Sequence, residues 1–238
     1  MTRLWIPFLP YAVISAVHVG LRLAEHPLDY PTKLLLMPTL ALAVLWVMLR
    51  VRPVPRGATI VLVVSIACSW LGDGAAFFFP GLPELPMMLL SFGLAHLGYV
   101  FLIWKVPGIA RGGFPRWSWI YVGAYLALII TLWPHTGSLL VPVMIYGLLL
   151  TATAAFAARC APVVAWGGAW FLVSDAILAF RIFMPEAMPG WTSGAVMLTY
   201  TLGQGLLVYG IVSALRSRTN TGKVTPGGVA EASVGSAG

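Results

Sequence analysis

Charge is what this 238-residue chain has least of: 9% of its residues are charged, and only seven are acidic. Soluble domains carry about 25% charged residues, so an ordinary water-soluble fold is excluded. Cysteine is almost missing as well. Cys68 lies inside an apolar run and Cys160 in a loop, which supplies neither a disulfide framework nor a metal motif. There is no G-x-S-x-G elbow, no H-E-x-x-H, no C-x-x-C and no Walker loop. Serine-triad hydrolysis, zincin-type proteolysis, thiol redox chemistry and P-loop nucleotide binding therefore have no sequence support. The formal net charge of +7 is scattered over short loops rather than gathered into a basic stripe, so nucleic acid is not an expected partner.

Apolar sequence is abundant. The chain is 60% hydrophobic with mean hydropathy +0.92. Eight stretches, near residues 4–23, 31–50, 58–79, 85–104, 117–133, 138–158, 163–184 and 192–215, can each cross about 30 Å of hydrocarbon. The stretch at 117–133 is short, but Trp117, Trp119 and Trp133 sit near its ends like interfacial anchors. The expected fold is all-α: a polytopic membrane protein of eight transmembrane helices over residues 1–216. Residues 217–238, rich in Gly, Ser, Ala and Thr, read as a disordered cytoplasmic tail. The opening MTR holds one basic residue and no A-x-A-like cleavage site follows, so 4–23 reads as a retained span. Of the 14 basic residues, 11 fall in loops on one side. Arg22, Lys33 and Arg181 fall on the other, with Glu25, Asp29, Glu84 and Glu186. The positive-inside rule then predicts a cell-membrane protein with both termini cytoplasmic.

Within these runs two aspartates stand out, Asp73 in SWLGDGAAFFF and Asp175 in AWFLVSDAILAF. A carboxylate at mid-membrane depth costs roughly 2.5–3.5 kcal/mol on insertion scales, and such residues usually mark a functional site. The two are 102 residues apart, and Phe78 matches Phe180 at the same offset. AHLGY (95–99) aligns with YTLGQ (200–204) at offset 105, and LLLMP (34–38) with SLLVP (138–142) at 104. Four spans per half predict two parallel repeats about an axis along the membrane normal, which brings both aspartates toward one centre. Other polar residues join them. His96 and Tyr99 share a helical face, as do Tyr200 and Gln204; Tyr146 lies in the middle of the sixth span. Lys33 opens the second span, where a lysine can meet a lipid headgroup. Arg181, six residues beyond Asp175 and off its helical face, is a weaker candidate for phosphate contact.

The motifs SWLGDGAAFFF, FGLAHLGYVFLIW, GGAWFLVSDAILAFRIF and YTLGQGLLVYG cover the third, fourth, seventh and eighth spans in order. In these the chain resembles the lysoplasmalogenase (YhhN-like) family of eight-span membrane proteins. In the second span Lys33 is followed by LLLMP, where the family tends to place a proline directly after its lysine. The resemblance implies hydrolysis of a lysoplasmalogen's vinyl ether bond to a fatty aldehyde and a glycerophospho-alcohol. The implied partners are a lysophospholipid substrate and membrane lipids.

The chemistry suits two carboxylic acids. A vinyl ether is not an electrophile, so its hydrolysis begins with protonation of the enol-ether carbon. Water then attacks the resulting oxocarbenium ion. One carboxyl serves as the acid and a second, ionised, stabilises the cation and acts as base. Asp73 and Asp175 are the expected catalytic pair. His96, Tyr200, Gln204, Lys33, Tyr146 and Arg181 are the expected substrate-side residues. The chemistry requires no metal or organic cofactor. Two alternatives belong to other classes: a proton-coupled small-molecule or lipid transporter, since buried acids and repeats also suit transport, and a non-catalytic lipid-binding scaffold.

Overall fold

A computed structural model describes residues 3–221, and every regular element in it is helical. In chain order these are α1 (Leu9–Leu23), α2 (Asp29–Met48), α3 (Arg56–Asp73), the single turn α4 (Ala75–Phe78), α5 (Glu84–Lys105), α6 (Trp119–Thr136), α7 (Leu140–Ala157), α8 (Pro162–Phe183) and α9 (Thr192–Thr221). Prolines mark several boundaries. Pro162 opens α8, where a missing N–H costs nothing. Seven stretches are long and apolar enough to cross a membrane, one of them the 42-residue Arg116–Ala157. At about 1.5 Å per residue that stretch is twice as long as the hydrocarbon is thick. It is a hairpin of α6 and α7, turned at Gly137 with φ +51° and packed face to face. The chain is thus a multi-pass membrane protein whose crossing helices follow the apolar runs.

Two boundaries differ from the hydropathy reading. The third span was expected to run unbroken through 79, but α3 stops at Asp73 and Gly74 turns the chain into α4. Gly74 leaves helical geometry at φ -109° and ψ 29°, and only glycine fits there: a Cβ would lie 2.6 Å from the Phe78 ring and 2.8 Å from Leu34. Asp73 therefore sits at a helix end rather than mid-helix. At the other end of the chain, α9 continues to Thr221, past the expected domain limit at 216. The rest of the expected tail, 222–238, lies outside the described residues.

The helix pairings of the two halves correspond. α3 packs on α5 as α8 packs on α9, α1 on α2 as α6 on α7, and α2 on α3 as α7 on α8. Across the halves, α2 meets α9 as α7 meets α5. The first helices break the pattern, because α1 leans on α9 whereas α6 leans on α8. Finer contacts follow the same offsets. Gly98 lies so close to Ser65 that a Cβ would overlap its hydroxyl, and Gly203 approaches Gly167 and Phe171 in the same way. A Cβ at Gly203 would stand 2.6 Å from the Phe171 backbone nitrogen. Gly203 is Gly98 shifted by 105, and Gly167 is Ser65 shifted by 102. Tyr99 and Gln204, also 105 apart, touch each other, with the Gln204 amide donating to the Tyr99 hydroxyl at 2.9 Å. Residues that exchange under a twofold and still touch lie near its axis.

Candidate active site

The aspartates open onto a cavity of 490 Å³ at the end of the bundle opposite the basic loops. α1, α2, α3, α5, α8 and α9 contribute to its wall. Asp73 and Asp175 both line it, with Lys33, Tyr200, Arg181, His18, Arg22, Asp29 and Glu84. A narrow apolar slot among α5, α6, α7 and α8 adjoins it. The two share one wall, made of Leu85, Met88, Phe92, Asp175, Leu178 and Ile182. Asp175 is the charged or titratable side chain on that shared wall. Its carboxyl faces polar space on one side and hydrocarbon on the other.

The carboxyls are held differently. Asp73 is 5% exposed and both its oxygens are engaged. Oδ2 accepts from the Tyr200 hydroxyl at 2.7 Å, and Oδ1 lies 3.7 Å from the Lys33 ammonium. Lys33 supplies the counter-charge that a carboxylate at the electronegative end of α3 needs. Asp175 is half-buried. The Tyr146 hydroxyl donates to its Oδ2. Among the described residues its Oδ1 has no protein hydrogen bond and no cation lies within 4.0 Å. Phe92, Phe171 and Tyr200 form an edge-to-face cluster beside the site, with Phe171 and Tyr200 centroids 5.4 Å apart.

A backbone repair lies one residue from Lys33. Pro38 lies inside α2 and has no N–H to give the Leu34 carbonyl. The Trp70 indole N–H donates to that carbonyl instead, at 2.9 Å. One bond therefore satisfies a partly buried acceptor and pins the start of α2 to α3, one turn before Asp73.

Arg181 also reaches the cavity, although six residues beyond Asp175 is off that residue's face. Its length makes up the angle, and Thr192 holds it through a 2.5 Å hydrogen bond. A second bond goes to the Pro189 carbonyl at 3.3 Å. Of the three basic side chains on the cavity, Arg22 is paired with Asp29 at 2.5 Å and Lys33 with Asp73. Arg181 has no carboxylate within 4.0 Å among the described residues.

His96 and Gln204 are fully buried and do not line the cavity. Thr153 spends its hydroxyl proton on the Leu149 carbonyl at 2.9 Å, so its oxygen accepts from His96 Nδ1–H at 3.0 Å. Among the described residues His96 Nε2 is left as a buried acceptor without a partner. The ring packs behind Tyr146, with centroids 5.9 Å apart, and so touches the residue that holds Asp175. Gln204 lies one turn deeper than Tyr200, where its amide donates to Ser69 at 3.0 Å as well as to Tyr99. The cavity also contains residues that were not among the expected site residues. His18 and Arg22, at i and i+4 on α1, share a face that was readable from spacing alone. Glu84, at the start of α5, was legible only as a loop charge. Among the described residues no three His, Cys, Asp or Glu side chains converge as metal ligands.

Comparison with known proteins gives consistent results. The lysoplasmalogenase TMEM86B of Homo sapiens is 31% identical over 218 residues, covering 87% of this chain and 86% of that one. No solved structure matches the chain. The YhhN family matches residues 28–211, which include both aspartates, Lys33 and the whole apolar slot. The chain belongs to the YhhN family.

Proposed function

We propose that the protein is an intramembrane hydrolase that cleaves the vinyl ether bond of lysoplasmalogens, with Asp73 and Asp175 as its acid–base pair. The observation that carries this reading is the place of Asp175, on the wall shared by a charged cavity and an apolar slot. In a lysoplasmalogen the vinyl ether lies at the same kind of boundary, between a glycerophospho headgroup and an alkyl chain. With the headgroup in the cavity and the start of the chain in the slot, the reactive carbons lie beside Asp175. The slot encloses only 50 Å³, so the rest of the chain lies among the lipids.

The unequal surroundings of the two carboxyls give them unequal roles. Asp73 is ionised, with Lys33 as its counter-ion. Asp175 has no cation within 4.0 Å and one oxygen without a protein hydrogen bond among the described residues, and it holds the proton that goes to the enol-ether carbon. The π electrons of the double bond form the new C–H bond, leaving an oxocarbenium ion and an Asp175 carboxylate. Water adds to the cationic carbon and gives a proton to Asp73, forming a hemiacetal. Asp73 returns that proton to the glycerol oxygen as the C–O bond breaks, and Asp175 takes the hemiacetal hydroxyl proton. Aldehyde and alcohol leave with both carboxyls restored. Arg181 contacts the phosphate, and Glu84 faces the ammonium of an ethanolamine or choline headgroup.

The test is incubation of purified protein in detergent with a lysoplasmalogen. It predicts stoichiometric fatty aldehyde and glycerophospho-alcohol. Movement of intact lipid across sealed vesicles, with no aldehyde formed in detergent, would refute hydrolysis and support the transport alternative.

A further inference from the structure

A second cavity lies at the opposite, basic end of the bundle. It measures 300 Å³ and is formed by the chain before α1, the end of α2 and α9. Three guanidinium groups line it, from Arg3, Arg50 and Arg216. No carboxylate lies within 4.0 Å of any of them among the described residues. The sequence makes such pairing hard to arrange. Of its seven acidic residues, Asp29, Asp73, Glu84 and Asp175 line the other cavity. Glu25 lies in a turn and Glu186 in a single 3-10 turn at that same far end, and Glu231 is outside the described residues. Three like charges around one small crevice repel one another, and an anion from outside relieves the repulsion.

The lip of the crevice is apolar. Ile6 and Trp46 line it and are 48% and 54% exposed. Arg50 stacks on the Trp46 ring at 4.1 Å, which fixes the guanidinium at the rim. From Trp46 an exposed apolar stripe continues along α2 through Leu42 and Leu35, at helical spacing. A soluble phosphate has no use for that stripe, but an acyl chain has.

We propose that this crevice binds an anionic glycerophospholipid. Its phosphate lies among Arg3, Arg50 and Arg216, and one acyl chain lies along the outer face of α2. Basic pockets between transmembrane helices bind anionic headgroups through this chemistry, and guanidinium matches phosphate with paired N–H donors. The site lies at the far end of the bundle from the proposed hydrolytic centre, so it stands or falls independently of it.

The full-length protein is placed in nanodiscs of equal phosphatidylcholine and phosphatidylglycerol, and the lipids retained on extraction are measured by native mass spectrometry. Enrichment of phosphatidylglycerol is expected, and R3Q/R50Q/R216Q should reduce it by at least about tenfold. R52Q/R111Q/R116Q, which removes three charges from the same end but outside the crevice, should leave it intact. Phosphatidylglycerol should also raise the melting temperature of the unaltered protein more than phosphatidylcholine does, a readout that needs no variant to fold. Equal retention of the two lipids would overturn the proposal. So would an equal loss in the control variant, which would reveal only a diffuse surface charge. Displacement of the lipid by millimolar glycerol phosphate would reduce the crevice to a soluble-anion site and overturn the lipid assignment.

Discussion

Lys33 and Arg181 are both cations on one cavity, yet their surroundings divide their work. Lys33 lies 3.7 Å from Asp73, whereas Arg181 is held by Thr192 and has no carboxylate within 4.0 Å among the described residues. Read from the sequence, Lys33 was the first candidate for the substrate phosphate and Arg181 the weaker one. The proposed roles reverse that order, because Lys33 already lies beside Asp73, a contact 40 residues away that no local pattern encodes. Arg181→Met should raise KM by roughly 10- to 100-fold with little change in kcat. The phosphate does not change during reaction, and a charged hydrogen bond contributes about 1.5–3 kcal/mol. Lys33→Met should act mainly on kcat, because it strips Asp73 of its counter-ion. Steady-state kinetics of the two variants would separate these effects, and interchanged results would restore the sequence-based order. Tyr146→Phe leaves Asp175 without its hydroxyl partner. It should lower kcat by about tenfold or more for the same energetic reason.

Among the helices, α2 and α3 are joined where it matters by the Trp70 indole on the Leu34 carbonyl. Trp70→Phe keeps a ring of similar character but removes the donor to a partly buried carbonyl, which costs about 0.5–1.5 kcal/mol. Thermal melting in detergent should show the loss, and kcat should fall with it because Lys33 drifts from Asp73. The α8–α9 contact should be less forgiving. Gly203→Leu forces side-chain atoms into the Phe171 backbone and should cost about 1–3 kcal/mol or more. Gly20→Leu, with open space around it, should be near neutral in the same melt. The sequence shows the helices plainly, because apolar length and bounding prolines are local signals. It also shows the repeat, through GD at 72–73 against SD at 174–175 and LGY at 97–99 against LGQ at 202–204. It does not show that α3 ends at Asp73, since GDGAAFFF is as apolar as a continuing helix, and the close approach of Phe78 and Leu34 to Gly74 is set by the fold.

The whole molecule is polarised along its axis, with a cavity lined by acidic and basic side chains at one end and a crevice lined by three arginines at the other. The positive-inside rule assigns the basic end to the cytoplasm. Single cysteines at positions 27 and 188 should therefore react with an impermeant maleimide from outside whole cells, and cysteines at 54 and 112 should not. The opposite pattern would invert the orientation. His18 and Glu84 show why the cavity was only partly legible beforehand: they come from α1 and α5, and nothing in either segment names the other as a neighbour. Asp73 and Asp175 were legible because a carboxyl in hydrocarbon is costly wherever it occurs. The most direct test of the account is the rate of aldehyde release in D2O at saturating lysoplasmalogen, for the unaltered protein and for Asp175→Asn. The unaltered protein should yield aldehyde with one deuterium on the carbon next to the carbonyl, and Asp175→Asn, still folded, should be at least ~100-fold slower. Full-rate release by Asp175→Asn, or aldehyde without that deuterium, would contradict proton transfer from Asp175 to carbon.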